Sequence, residues 1–129
     1  QFGDAAHVPL VGTIAAGVPI TAEENITEYV PVPRTLTGKG ELFMLEIKGD
    51  SMIDAGIHSG DLAVVERTTE ARTGTIVVAV VDDEFTLKTL ARDKTGYFLQ
   101  PANSDYPVIR PQGKLEIFGV LTGIVRKYI

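Results

Sequence analysis

The chain has 129 residues, a length that suits one compact domain with its own hydrophobic core. Hydrophobic residues make up 44% of the sequence and charged residues 22%, which is typical of a soluble globular protein and excludes intrinsic disorder. The net charge of −5 argues against nucleic-acid binding by this chain itself, because phosphate binding needs a positive surface. The absence of cysteine excludes disulfides, zinc–thiolate sites and cysteine nucleophiles.

The sequence shows neither the pattern of a membrane-spanning segment nor, at its first residues, that of a signal peptide. The longest apolar run, Ile76 to Val81, is far shorter than the ~20 residues of a membrane-spanning helix. The first residues lack the basic-then-apolar pattern of a signal peptide. Because the sequence begins with Gln1 rather than methionine, we expect a fragment or a processed product.

Short apolar segments separated by turn residues predict a β fold, since they are rich in Val, Ile, Leu, Thr and Phe. In chain order the predicted strands are residues 8–14, 42–47, 62–66, 75–81, 85–90, 97–99 and 115–125. Residues 82–83 and 93–96 are predicted hairpin turns. The one helical signal is a short turn over residues 52–57, ended near Gly60. We therefore predict a single all-β domain over residues 1–129, a partly closed barrel of mostly antiparallel strands.

Two segments are predicted to be long irregular loops outside the sheet. Residues 15–28 hold Gly17, Pro19 and an acidic stretch, and residues 101–113 hold three prolines. Loops of this length are more often functional than idle, so both segments are candidates for a role in the site.

Ser51 is the first candidate for chemistry. It follows a glycine and an apolar strand, so it can lie on a tight turn whose backbone N–H groups converge on one point. That geometry suits a nucleophile beside an oxyanion hole. The sequence is equally compatible with an ordinary turn serine or a helix N-cap.

A nucleophilic serine needs a base, and the chain offers histidine or lysine. We interpret His58 as a surface loop residue and His7 as incidental. Lys88 shares a strand face with Thr86 and Leu90, which could desolvate it. Burial lowers the pKa of a lysine from its reference value of ~10.4, as a base requires. The alternative is a solvated lysine on a strand.

The third element is the run Ala-Ala-Gly-Val-Pro at 15–19. Small residues at a tight turn can enter a narrow cleft, and Val-Pro after the glycine prevents a helix from continuing. The simpler interpretation is a turn that ends a strand.

Taken in chain order, these elements resemble the C-terminal domain of the LexA repressor family of self-cleaving Ser-Lys peptidases. The resemblance extends from Pro9 to Lys127, nearly the whole chain. It rests on Val-Gly at 11–12, Ala-Ala-Gly-Val-Pro at 15–19, Gly-Asp-Ser-Met at 49–52, Ala-Gly-Ile at 55–57, Gly-Asp at 60–61, Thr-Leu-Lys-Thr-Leu at 86–90, Leu-Gln-Pro-Ala-Asn at 99–103 and Gly-Val at 119–120.

The resemblance implies the chemistry of the site. Ser51 would be the nucleophile and Lys88 the general base. The scissile bond would join Ala16 to Gly17, within a cleavage segment of about residues 10–28 that folds back over the cleft. Backbone N–H groups near Asp50 and Ser51 would hold the oxyanion. Nothing in the sequence requires a metal or an organic cofactor for this reaction.

The resemblance also implies partners and a location. A RecA filament on single-stranded DNA would stimulate self-cleavage and so inactivate an SOS-response repressor. The strand over residues 115–125, apolar on both faces, would take part in a homodimer contact. The family's N-terminal helix-turn-helix domain is absent from the sequence, so we expect operator DNA to be bound only through that missing domain. No membrane partner is implied, and the expected location is the bacterial cytoplasm.

Two other functions fit the same motifs. One is a polymerase accessory protein of the UmuD type, activated by losing a short N-terminal arm. Such proteins more often carry Cys-Gly at the scissile bond, whereas this chain has no cysteine. The other is a catalytically silent dimerisation module. An upstream helix-turn-helix would favour the repressor, and self-cleavage would exclude the silent module.

Overall fold

A computed structural model describes residues 5–12, 20–37, 40–82 and 84–128. In these residues the strands are β1 (Ala5–Val11), β2 (Ile26–Pro33), β3 (Leu42–Glu46), β4 (Leu62–Arg67), β5 (Ile76–Val81), β6 (Glu84–Asp93), β7 (Gly96–Gln100) and β8 (Leu115–Val125). They form one sheet in the order β2-β1-β3-β4-β8-β5-β6-β7. Only β1 and β3 pair in parallel; the other neighbours are antiparallel. The predicted all-β class is confirmed.

The sheet is open in the described part of the chain, where β2 and β7 are its two edges. The helical content there is limited to three 3-10 turns, Glu23–Asn25, Arg34–Leu36 and Ile53–Ala55. The last of these falls within the predicted turn at 52–57 and ends at Gly56, whose φ of 79° lies in the left-handed region. No helix among the described residues has the length and apolarity needed to cross a bilayer.

Both predicted hairpins are present. Val81 pairs with Glu84 across residues 82–83, and Asp93 pairs with Gly96. At the second turn, Gly96 has a φ of 122°, which favours glycine, and Thr95 N–H donates to the Asp93 carboxylate at 2.9 Å. At the second hairpin, the turn residues themselves therefore favour the connection.

The sequence analysis was wrong about β2. Residues 26–28 belong to this strand rather than to the irregular segment predicted over 15–28. Pro31 and Pro33 argue against a strand interior, because proline cannot donate a ladder hydrogen bond. An edge strand tolerates them, since one side of its backbone needs no partner, and β2 is an edge. Of the predicted first strand, 8–14, residues 13–14 lie outside the described residues.

The core is densest around β3 and β4, which are buried on both faces. Phe43 and Val65 lie in one hydrophobic cluster, and their neighbours Met44 and Val64 lie in another, as the period of two requires. Phe43 and Met44 are both 0% exposed. The turn that follows β3 therefore starts from a strand that is buried on both faces.

Candidate active site

Ser51 lies in the turn that follows β3. Gly49 enters this turn with a φ of 84°, and Met52 anchors it in the core with 3% of its surface exposed. Ala102 N–H donates to the Ser51 carbonyl at 2.9 Å. Among the residues that the structure describes, none accepts a hydrogen bond from the Ser51 hydroxyl. The hydroxyl thus keeps its hydrogen-bonding capacity for a reacting group.

Lys88 lies in β6, opposite Val77 of β5. It is buried, with 9% exposure, so of the two alternatives that the strand pattern left open the structure shows the desolvated lysine. Its Nζ donates to Thr86 Oγ1 at 2.6 Å, and no carboxylate in the described ranges forms an ion pair with it. Burial lowers the pKa of Lys88 below the ordinary lysine value, because it disfavours the charged ammonium.

Ser51 and Lys88 line the same cleft, whose volume is about 320 Å³. Apolar side chains provide most of its wall, namely Leu45, Ile47, Met52, Val78, Phe85 and Leu87. Glu46, Lys48 and Thr86 add polar groups. A serine whose hydroxyl has no hydrogen-bond partner among the described residues and a desolvated lysine therefore share one mostly apolar space. Neither His7 nor His58 lines it.

The cleft also reaches the point where the chain leaves β1. Gly12 lines it, and Gly12 N–H donates to the Asn25 carbonyl at 2.8 Å, just before β2 begins. The segment between Gly12 and Asn25 is thus anchored at both ends beside the cleft. Ala16 and Gly17, the predicted scissile pair, lie outside the described residues.

The backbone at Asp50 and Ser51 is held by the start of the irregular segment 101–113, for which the sequence predicted a functional role but no contacts. Asn103 Nδ2 donates to the Asp50 carbonyl at 2.9 Å, and the Tyr106 hydroxyl donates to the Asp50 carboxylate at 2.7 Å. Asp54 N–H donates to the Ala102 carbonyl at 2.8 Å. The motif at 99–103 indicated that this loop matters, but not what it touches.

A buried ion pair was also missed. Asp61 is 1% exposed and accepts from Arg126 Nε at 2.6 Å and from Arg126 Nη2 at 2.7 Å. The hydrogen bonds from Arg126 are the main reason that the pKa of Asp61 is lowered to about 2. The two residues are 65 positions apart, so no local pattern could have paired them.

Comparison with known proteins gives the family. The Peptidase S24-like family matches residues 9–122. The LexA repressor of Corynebacterium glutamicum is 46% identical over 97% of this chain and 53% of its own length. The LexA repressor of Clostridium kluyveri is 46% identical over 99% of this chain and 63% of its own length. The LexA repressor of Leifsonia xyli subsp. xyli is 48% identical over 96% of this chain and 55% of its own length. The chain spans about half to three-fifths of these relatives. The match over most of its length shows that this chain belongs to the Peptidase S24-like family.

Proposed function

We propose that this chain is the self-cleaving Ser-Lys peptidase domain of a LexA-type repressor. The observation that carries the proposal is the shared cleft. Ser51, whose hydroxyl has no hydrogen-bond partner among the described residues, and Lys88, whose pKa is lowered, line one mostly apolar space. Membership of the Peptidase S24-like family supports a peptidase, and the relatives named LexA repressor favour this type over a UmuD-type accessory protein.

The proposed reaction is an acyl transfer followed by hydrolysis. Neutral Lys88 takes the proton from Ser51 Oγ, which attacks the carbonyl carbon of Ala16. Backbone N–H groups at Asp50 and Ser51 stabilise the oxyanion, a contact worth ~3–4 kcal/mol per donor in serine peptidases. The C–N bond to Gly17 breaks as the Lys88 ammonium protonates the leaving amine. Water, deprotonated by Lys88, then hydrolyses the ester and frees Ser51.

The substrate is the chain's own segment. Gly12 lines the cleft, and Ala16 follows it by four residues, a reach of at most about 14 Å in an extended chain. An attached substrate makes the attack unimolecular, which raises the effective concentration of the scissile bond. The segment must nevertheless be kept from constant cleavage, so we propose two positions for it, away from Ser51 and docked on it.

The proposal for the whole protein is repression relieved by cleavage. The chain spans about half to three-fifths of the repressors that it matches, so we assign operator binding to a part outside this sequence. The net charge of −5 is consistent with that assignment. We propose that a RecA filament on single-stranded DNA stabilises the docked segment, within the bacterial cytoplasm. This partner is inferred from the LexA resemblance.

A homodimer contact is proposed at the end of β8. Residues 115–120 pair with β5, and residues 119–125 pair with β4. From Leu121 to Val125 the second edge of β8 therefore has no strand partner among the described residues. A partner copy of the same strand could pair there by two-fold symmetry. Sedimentation that finds only monomer at high micromolar concentration would contradict the contact.

Mass spectrometry of the purified chain tests the peptidase. We expect incubation between pH 7 and pH 10 to yield one fragment ending at Ala16 and one beginning at Gly17. Cleavage should accelerate with pH, because deprotonation of Lys88 creates the base. An intramolecular reaction should proceed at a rate independent of protein concentration.

Variants separate the proposed roles. Ser51→Ala and Lys88→Met should remain intact, whereas Lys114→Met, which changes a lysine whose side chain is 81% exposed, should cleave like the wild type. If the wild type stays whole across this pH range and also with a RecA filament, the peptidase proposal fails and a silent module takes its place.

A further inference from the structure

The Asp61 carboxylate is the centre of a buried clamp. Arg126 binds both of its oxygens, and His58 N–H donates to Oδ2 at 2.8 Å. The carboxylate therefore receives three hydrogen bonds, one from the nearby His58 backbone and two from Arg126, which is 65 residues away. A carboxylate that is 1% exposed needs such partners, because an unpaired buried charge is strongly unfavourable.

Besides Asp61, Arg126 binds the Tyr128 hydroxyl and the backbone of the turn that carries Ser51. Its Nη2 donates to the Gly56 carbonyl at 2.8 Å. Gly56 ends the 3-10 turn Ile53–Ala55, and its own N–H donates to the Ile53 carbonyl at 3.0 Å. Ile53 N–H in turn donates to the Asp50 carbonyl at 3.1 Å. A continuous set of hydrogen bonds thus runs from Arg126 to the residue before Ser51.

The turn that carries Ser51, residues 49–57 and called the Ser51 turn below, is held from two sides. The loop at 101–106 binds its first half through Asn103 and Tyr106, and Arg126, just beyond the end of β8, binds its second half. The turn itself is short and carries little regular structure, so these contacts fix where its backbone lies. Small displacements of a nucleophile are costly, because attack requires a near-attack geometry.

We infer that Arg126 is a positioning residue for Ser51, acting through Asp61 and the Gly56 carbonyl. This inference rests on the peptidase function proposed above. Arg126 does not line the Ser51 cleft and touches no reacting atom. Its role is to hold the second half of the turn so that Ser51 and the backbone N–H groups beside it keep one geometry.

The planar fork of arginine suits this task, and lysine does not. A guanidinium can bind both carboxylate oxygens and a carbonyl at once, whereas an ammonium is a point charge on a flexible stem. Arg126→Lys therefore keeps a positive charge for buried Asp61 while weakening the contact with Gly56. This conservative change separates positioning from folding better than removal of the side chain.

The test uses Arg126→Lys, with Arg110→Lys as the matched control. Arg110 also binds a carboxylate, that of Asp93, but its side chain is 46% exposed and does not contact the Ser51 turn. Hydrogen exchange should report the turn itself. We expect the amides of residues 53–57 to exchange about tenfold faster in Arg126→Lys, as loss of one hydrogen bond allows, and unchanged in Arg110→Lys.

Self-cleavage provides the second readout. In Arg126→Lys we expect the plateau rate at high pH to fall about 10- to 100-fold, while the apparent pKa of the profile stays that of the wild type. Because a partly unfolded population would also lower the plateau at an unchanged pKa, urea unfolding of Arg126→Lys at the assay pH must show that the variant is fully folded. Arg110→Lys should have the plateau rate and the apparent pKa of the wild type.

The outcomes keep the two proposals apart. Unchanged exchange over residues 53–57 overturns the positioning role, whatever the cleavage result. Self-cleavage of Arg126→Lys at the wild-type rate also overturns the positioning role, provided that the wild type cleaves itself and Ser51→Ala does not. If the wild type never cleaves, the peptidase proposal fails, and the exchange measurement alone decides whether Arg126 holds the turn.

Discussion

Gly119→Ala should destabilise the fold at the strand that joins the two halves of the sheet. Gly119 pairs with Arg67 of β4 on one side and with Val78 of β5 on the other. A Cβ atom there would lie 2.4 Å from Val65 Cγ1 and 2.8 Å from the Glu66 carbonyl oxygen. The second contact is backbone, so it cannot retreat without disturbing the β4–β8 ladder.

The magnitude follows from these overlaps. Overpacking a core costs ~1–3 kcal/mol, and we expect the upper end because β4 is fixed from both sides. For a domain of this size, ~3 kcal/mol corresponds to about 10 °C in Tm. Gly123→Ala is the matched control on the same strand, since nothing lies within 4 Å of its added Cβ. Its effect should stay within about 0.5 kcal/mol.

Thermal and urea unfolding of the three proteins provide the assay. The account predicts a large loss for Gly119→Ala with an unchanged urea m-value, and no comparable loss for Gly123→Ala. Equal stability of the two variants would refute the close approach of β8 to β4, and with it the placement of the β3–β4 and β5–β6 halves that carry Ser51 and Lys88.

Two further predictions concern buried charges. Because burial lowers the pKa of Lys88, the unfolded chain binds more protons below the ordinary value of 10.5, so wild-type stability should rise as pH approaches 10.5. Lys88→Met should be more stable by about 0.5–2 kcal/mol at pH 7 and should lack this rise, as urea unfolding against pH would show. The second prediction concerns Asp61, whose lowered pKa makes stability depend on pH in the acid range. Its pKa of about 2 against 3.8 unfolded means that its stabilisation is present above pH 3.8 and lost as pH falls through about 2. Asp61→Asn should cost about 3 kcal/mol near neutrality and flatten the acid limb.

Each of these two predictions has a matched control variant. Lys48→Met changes an exposed lysine in the same cleft and should leave the pH dependence in place. Asp93→Asn breaks an ion pair whose side chains are 40–46% exposed, so its cost should stay under about 1 kcal/mol. If Lys48→Met removed the alkaline rise, or if Asp61→Asn cost no more than Asp93→Asn, the burial argument would be wrong.

The sequence predicts what depends on neighbouring residues. The hairpins at 82–83 and 93–96 form where the sequence has turn residues. The alternation around Lys88 placed it beside apolar neighbours but left a buried and a solvated lysine as alternatives, and the structure shows it buried. The strand β2 was missed because its prolines are acceptable only at an edge, and the position of a strand in the sheet is not a local property.

The other contacts that the sequence did not predict join residues far apart in the chain. Asn103 meets Asp50 across 53 residues, and Arg126 meets Asp61 across 65. Polar residues of these types are ordinary surface residues in a sequence, and only the folded chain brings them to the Ser51 turn. The roles of Ser51 and Lys88, and the scissile pair Ala16–Gly17, remain predictions.

The central claim is that Lys88 activates Ser51, and labelling by a fluorophosphonate tests it most directly. The probe reacts with an activated serine and does not require the cleavage segment to dock. Intact-mass and peptide analysis should find one adduct, on Ser51, formed at a rate that rises with pH to a plateau. Lys88→Met should slow labelling about 100-fold or more and remove the pH dependence, and Ser51→Ala should give no adduct. Labelling elsewhere, or at an unchanged rate in Lys88→Met, would contradict the account.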